Sequence, residues 1–314
     1  MVKKQKIKWT KGNIPDLKEK TIIVTGANSG LGFEITRVIS GKNANVIMAC
    51  RNIEKAEQAR KIILKENSNA SLEIMQIDLS KLSTVKDFVK KFKEKYDKLD
   101  ILFNNAGVMF VPKIITEDGF ELHMAANHFG HFALTGLLLD CLEKAKNSRV
   151  ISVSSMGHRF GRINFKKLNY EKGIYNRIMA YSNCKIAVLY FAYELDHRLK
   201  MSEKSILSIA AHPGWTRTNL QTAGGELDNS RGQIWFWNYL NNFFSQEVEM
   251  GVLPQLRAAF DPNARGGEYF SPEDFIHWKG YPIMKLSNKR SRNRKIARKF
   301  WEVSEELTGI KYNL

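Results

Sequence analysis

Short apolar, β-branched runs alternate along most of the chain with longer stretches whose apolar positions recur at helical spacing. TIIVT at 21–25 reads as a buried strand, and residues 31–40 as the helix after it. NVIMA at 45–49 is a second strand, followed by a helix over 53–66; SLEIMQI is a third, followed by a helix over 82–96. LDILF at 99–103 is a fourth strand, with a long helix predicted over 119–144. RVISVSS is a fifth strand, 156–177 a loop, 178–200 a helix, and ILSIAA a sixth strand ending at HPG. Strands with continuous apolar runs, separated by helices, predict a parallel sheet covered on both faces.

Right-handed crossovers turn that alternation into a doubly wound α/β fold of the Rossmann type. After Gly214 the rhythm breaks. Residues 215–250 carry Gly224, Gly225 and the aromatic cluster WFWNYLNNFF; a short strand is expected near 268–270, then a basic terminal helix. No linker cuts this part off, so the chain reads as a single domain over 1–314. Its core spans 20–214, and 215–314 forms a smaller substrate lobe and C-terminal extension laid over the sheet.

Composition narrows the class only a little. An apolar fraction of 43% and a charged fraction of 26% suit a soluble globular protein. The longest apolar run, ending at Tyr193, falls far below the roughly 18 residues of a membrane span. The first twenty residues have no apolar stretch after their charges, unlike a secretory leader. Cys50, Cys141 and Cys184 lack metal-like spacing and fit a reducing compartment, so a cytoplasmic location is expected. The net charge of +17 is mostly dispersed; its one dense block, KRSRNRKIARK from Lys289 to Lys299, reads as an exposed helix or a contact for an anionic membrane or an acidic partner. Nothing resembling a base-reading module accompanies it, so no nucleic-acid partner is expected.

The chemistry begins at TGANSGLG, where the first strand meets its helix. Gly26, Gly30 and Gly32 at that junction permit a tight turn and close approach of backbone N–H groups to a pyrophosphate. The spacing is G-x-x-x-G-x-G rather than G-x-G-x-x-G. The second strand then indicates which dinucleotide binds. An NAD site wants a carboxylate near its end; here Cys50 and Arg51 stand there, and an arginine can pair with a 2′-phosphate. NADP is therefore expected over NAD, with Asp78 facing the adenine.

Tyr181 and Lys185 lie four residues apart on a predicted helix, hence on one face. Alone, they could be a surface pair or an acid tuned by a neighbouring ammonium. A free tyrosine is ionised to about one part in a thousand at pH 7, so the neutral phenol is ready to protonate a carbonyl oxygen. Oxidising an alcohol needs the phenolate, and a nearby cation favours it. Tyr170 and Tyr175 have no lysine at that spacing and read as decoys. His128 and His131 suggest a metal only if a third ligand exists, and none is evident, so no metal is expected.

The glycine loop, NNAG at 104–107, Asn127, the serine pair at 154–155, Tyr-x-x-x-Lys and HPG occur in the order found in the short-chain dehydrogenase/reductase family. The chain resembles that family over nearly its whole length. NHFGHFALT, VSSMGHRFGRI and LDHRLK are similar to its retinol dehydrogenase-like branch. The resemblance implies a catalytic tetrad of Asn127, Ser155, Tyr181 and Lys185, with Ser155 rather than Ser154 at the family position. It implies a cofactor site formed by Gly26, Asn28, Ser29, Gly30, Leu31, Gly32, Arg51, Asp78, Leu79, Asn105, Ala106, Gly107, Tyr181, Lys185, Pro213, Gly214, Thr216 and Thr218. The expected activity is hydride transfer between NADP(H) and a lipophilic carbonyl or alcohol; a non-catalytic NADP-binding sensor or scaffold is the alternative. Cys184 stands where serine or alanine usually precedes the lysine, and reads as a small packed side chain. The aromatic cluster falls in the variable substrate lobe, where it could lid the site, form an interface or touch a membrane.

Overall fold

The computed structural model describes residues 8–171, 174–216, 246–274 and 278–314. The strands are β1 (Thr21–Thr25), β2 (Asn45–Cys50), β3 (Ser71–Gln76), β4 (Ile101–Asn104), β5 (Arg149–Val153), β6 (Leu207–Ala211), β7 (Tyr269–Pro272) and β8 (Pro282–Lys285). They form one sheet in the order β3-β2-β1-β4-β5-β6-β7-β8. All neighbours run parallel except β7 and β8. Every residue of β1 and β4 is buried, which is why those strands show no polar alternation.

The connecting helices are α1 (Gly30–Ser40), α2 (Ile53–Glu66), α3 (Leu82–Lys95), α4 (Leu122–Met124), α5 (Gly130–Leu137), α6 (Leu139–Glu143), α7 (Arg177–Met201), α8 (Val248–Gly251), α9 (Leu253–Phe260) and α10 (Arg294–Thr308). One face of the sheet packs on α1, α2 and α9, the other on α3, α5, α6 and α7. The chain lays β2 and β3 to one side of β1, then returns to place β4 on the other. That reversal opens a crevice beyond the C-terminal ends of β1 and β4, where such folds bind ligands. The middle of α7, residues 184–192, is buried on every side because it is covered twice. The sheet lies beneath it, and α10 covers it with a stripe of Ala297, Phe300 and Trp301; Trp301 stacks on Phe191 at 5.9 Å. Among the described residues no helix is long and apolar enough to cross a membrane.

Three sequence expectations change. The helix predicted over 119–144 starts only at Leu122 and is broken: Gly119 has φ +80 in a turn, and α4, a π-helical turn (Ala125–Phe129), α5 and α6 follow one another. The strand expected near 268–270 forms as β7, but it joins the sheet instead of lying over it and brings β8 with it, which carries no clear alternation to announce it. The basic block is helical only from Arg294 onward. Several of its cations are engaged locally: Arg290 donates to the carbonyl of Gly161 at 3.0 Å, Arg292 to that of Ser287 at 3.1 Å, and Lys299 sits over the Phe165 ring.

Candidate active site

The crevice begins with a turn that only glycine makes cheaply. Gly26 has φ +68, and its N–H donates to the Ala49 carbonyl at 2.8 Å, pinning the turn to β2. At Gly32 a Cβ would lie 2.2 Å from the Gly26 carbonyl oxygen and 2.6 Å from the Asn105 amide nitrogen, so turn and helix touch backbone to backbone. Ser29 precedes α1 with no side-chain cap, leaving the first-turn N–H groups and the positive helix end facing the crevice. This cradle, with Asn28 and Leu31 in its wall, fits a dinucleotide pyrophosphate.

Thr25 ties the cradle to the next strand, a role not evident from the sequence. Its hydroxyl donates to the Phe103 carbonyl at 3.0 Å and accepts from the N–H groups of Asn105 and Ala106, both at 2.9 Å. The Asn105 amide donates back to the Thr25 carbonyl at 2.9 Å. The remaining cofactor positions vary in how they are held. Cys50 is buried, and its sulfur accepts from the N–H groups of Ala27 and Asn28. Arg51 is exposed and makes no ion pair among the described residues. Asp78 accepts from the Ser80 hydroxyl at 2.6 Å and N–H at 3.0 Å, which fixes its loop, and Leu79 is buried.

Asn127 sits in the π-helical turn, a local widening frequent at functional positions. Its Oδ1 accepts from the Val108 N–H at 2.7 Å, while its Nδ2 donates to the Val108 carbonyl at 2.9 Å and the Cys184 sulfur at 2.9 Å. A side chain at Gly107 would collide with this amide, so glycine is required there for space. His131, one turn on, reaches Thr25 at 3.0 Å and the Asn127 carbonyl at 3.2 Å; burial holds it neutral, down to about 4. His128 is bonded separately to Ser304 at 2.8 Å, so the two histidines have different partners.

The two serines part at the end of β5. Ser154 is buried and donates to the Lys185 carbonyl at 2.9 Å; Ser155 is partly open, its Oγ accepts from the Gly157 N–H at 3.3 Å, and its hydroxyl lies near enough to Tyr181 to favour the phenolate. Lys185 is buried, its ammonium donating to the Val153 carbonyl at 3.0 Å and lying 5.7 Å from the Tyr181 ring centroid. Burial pushes the Tyr181 phenol above its usual range, and the nearby Ser155 hydroxyl opposes that. Burial likewise lowers Lys185. Desolvation thus sets the direction for the phenol and favours its neutral form.

At HPG, Gly214 has φ +77 and the Pro213 carbonyl accepts from the Thr216 hydroxyl at 2.9 Å and the Gln246 amide at 2.7 Å. Gln246 thus clamps the loop from a distant part of the chain that no local motif flags. Thr218 and the aromatic cluster lie outside the described residues.

All three cysteines are buried, and burial pushes their thiols up, Cys141 to about 11 and Cys50 and Cys184 to about 12. No thiol should react quickly with 5,5′-dithiobis(2-nitrobenzoate) at pH 8 in the native protein, and all should react once guanidinium unfolds it. A fast-reacting native thiol would contradict the burial of Cys184 beside Asn127.

The chain is similar to known proteins over most of its length. The model of the short chain dehydrogenase family matches residues 20–227. Human retinol dehydrogenase 11 is 36% identical over 94% of this chain and 87% of its own, and human retinol dehydrogenase 13 is 35% identical over 96% and 87%. An uncharacterised protein from Mycobacterium paratuberculosis superposes with a TM-score of 0.80 at 33% identity, covering 98% of this chain and all of that one. A short chain dehydrogenase structure from Escherichia coli, complexed with NADPH, superposes with a TM-score of 0.55 at 25% identity over 67% of this chain and 82% of that one. A family match over most of the chain, joined to a glycine cradle at the switch point of a Rossmann sheet, places this chain in the short-chain dehydrogenase family, whose members are NAD(P)-dependent oxidoreductases acting on CH–OH groups.

Proposed function

We propose that this protein is an NADP(H)-dependent oxidoreductase that interconverts a lipophilic carbonyl and its alcohol, with Tyr181 as the proton-transferring group. One observation carries the reading: a buried phenol, a serine hydroxyl and a buried ammonium converge at the end of β5, beside the glycine cradle. The pyrophosphate falls to the cradle from Gly26 to Gly32, the adenine to Asp78 and Leu79, and the nicotinamide end to Asn105, Ala106, Gly107, Lys185, Pro213, Gly214 and Thr216. When bound, the nicotinamide supplies or takes the hydride. The Ser155 hydroxyl holds the substrate oxygen, and the neutral Tyr181 phenol gives that oxygen its proton. The Lys185 ammonium, fixed by the Val153 carbonyl, offsets the charge left on the phenolate. Asn127, fixed through both edges of its amide, keeps the turn beside Val108 in place.

The proton's position sets a pH signature. Because burial raises the phenol, Tyr181 stays protonated through neutral pH, and its phenolate fraction grows tenfold per unit as pH rises toward that pKa. Carbonyl reduction should stay flat between pH 6 and 8, to roughly within threefold, whereas alcohol oxidation should climb by about tenfold per unit. An oxidation rate that falls over this range would contradict Tyr181 as the base.

Arg51 supports the choice of NADP, standing exposed and without an ion pair among the described residues, where an NAD enzyme wants a carboxylate. The retinol dehydrogenase relatives support a lipophilic substrate. The test is kcat/KM for NADPH and NADH with retinal, long-chain aldehydes, steroids and quinones, in the wild type and Arg51→Asp. NADPH should lead in the wild type, and Arg51→Asp should cut that lead by about 10–100-fold, the worth of one charge-assisted pair. Equal use of both coenzymes by the wild type would overturn the assignment.

A further inference from the structure

Past Gly107 the chain leaves β4 and passes beside Tyr181, where one residue holds a backbone its side chain disfavours. Phe110 has φ +55, left-handed territory that a bulky residue enters only when its surroundings compel it. Its ring is buried and meets the Tyr181 ring edge-on, with centroids 5.2 Å apart. The following N–H, that of Val111, donates to Nε2 of His123 at 3.3 Å. His123 is fully buried. An Nε2 that accepts leaves the proton on Nδ1, which faces Oε1 of Glu121 at 2.7 Å.

Glu121 is itself buried and satisfied from two elements, α4 and the loop between β5 and α7. The Tyr175 hydroxyl, from the loop between β5 and α7, donates to Oε1 at 2.7 Å, and the Met124 N–H of α4 donates to Oε2 at 3.2 Å. The Glu121 N–H donates to Oδ1 of Asn169 in the same loop at 2.9 Å. A buried carboxylate so bonded is costly to disturb, because any lost partner leaves a charge uncompensated. It therefore holds three segments in fixed relation: the β5–α7 loop, the start of α4, and the strained turn carrying Phe110.

We propose that Phe110 is a specificity-determining wall of the substrate site, and that His123, Glu121 and Tyr175 are positioning residues that clamp its turn against Tyr181. This rests on the reading of Tyr181 as the group that meets the substrate oxygen. A carbonyl reaching that hydroxyl must pass an aromatic edge that cannot swing away. The wall admits slim, unbranched carbonyls and turns back those branched beside the reacting carbon.

The test compares decanal with 2,2-diphenylacetaldehyde in the wild type, Phe110→Ala, Phe110→Leu and Tyr175→Phe. Phe110→Ala should shift the kcat/KM ratio by about tenfold or more toward the branched aldehyde, mainly through KM, with Phe110→Leu intermediate. Tyr175→Phe, which touches no substrate, should shift it the same way by a smaller factor. A ratio unchanged in folded Phe110→Leu and Tyr175→Phe overturns the proposal, while turnover that survives Tyr181→Phe instead overturns the catalytic reading beneath it. Should the wild type turn over neither aldehyde, the ratio of their dissociation constants, read by tryptophan fluorescence in the same variants, decides the wall by the same criterion.

Discussion

Tyr181→Phe should lower turnover of a lipophilic aldehyde by roughly 10²–10⁴-fold, the range that a lost general acid costs, while NADPH affinity stays nearly unchanged. The substitution removes one oxygen and keeps the ring. Packing against Phe110 at 5.2 Å and the place of Tyr181 in α7 should therefore survive. What disappears is the proton donor and the hydroxyl that lies near Ser155. Steady-state kinetics with coenzyme binding by fluorescence separates the two effects. Retained activity would reject Tyr181 as the proton donor, and a wild type that binds NADPH tightly yet turns over no carbonyl would favour the non-catalytic scaffold.

The second large effect lies at the cradle. In Gly32→Ala the new methyl would stand 2.2 Å from the Gly26 carbonyl oxygen, a backbone atom that no side-chain rotation can move. Turn and helix must separate, which costs about 1–3 kcal/mol of stability as overpacking does. The same displacement pulls first-turn N–H groups away from the phosphates. Losing one or two charge-assisted hydrogen bonds should weaken NADPH by about 10–100-fold. Gly41→Ala is the control, because a Cβ at the far end of the same helix meets its nearest atoms at 3.4 Å. Coenzyme titration and thermal melts of both variants check this; equal NADPH affinities would show that the cradle is not the pyrophosphate site.

Much of the site was legible because backbone geometry dictates it. Gly26 and Gly32 announce a turn that other residues cannot form, and Asn105, Ala106 and Ser155 follow their strands into the crevice because strand ends are readable from apolar runs. Tyr181 and Lys185 share a helix face by spacing alone. The rest depends on contacts between distant segments. Thr25 looks like the last residue of a strand, yet its hydroxyl joins two strand ends and His131. The π-helical turn around Asn127 has no spacing signature, so apolar periodicity predicts one unbroken helix through it that begins at Gly119, where the structure has a turn. Tyr175 has no lysine at helical spacing to single it out, and its partners, Glu121 and His123, lie more than fifty positions back. Spacing alone puts a lysine beside the phenol, whereas the burial that raises that phenol depends on packing no local pattern shows.

The most direct measurement follows deuterium from NADPH labelled at C4 on its transferable face into the product of a lipophilic aldehyde, read by mass spectrometry. One deuterium on the carbinol carbon, lost along with turnover in Tyr181→Phe, is the expected result. Unlabelled alcohol, or no alcohol at all from a protein that holds the coenzyme tightly, would contradict a hydride-transfer site at the end of β5.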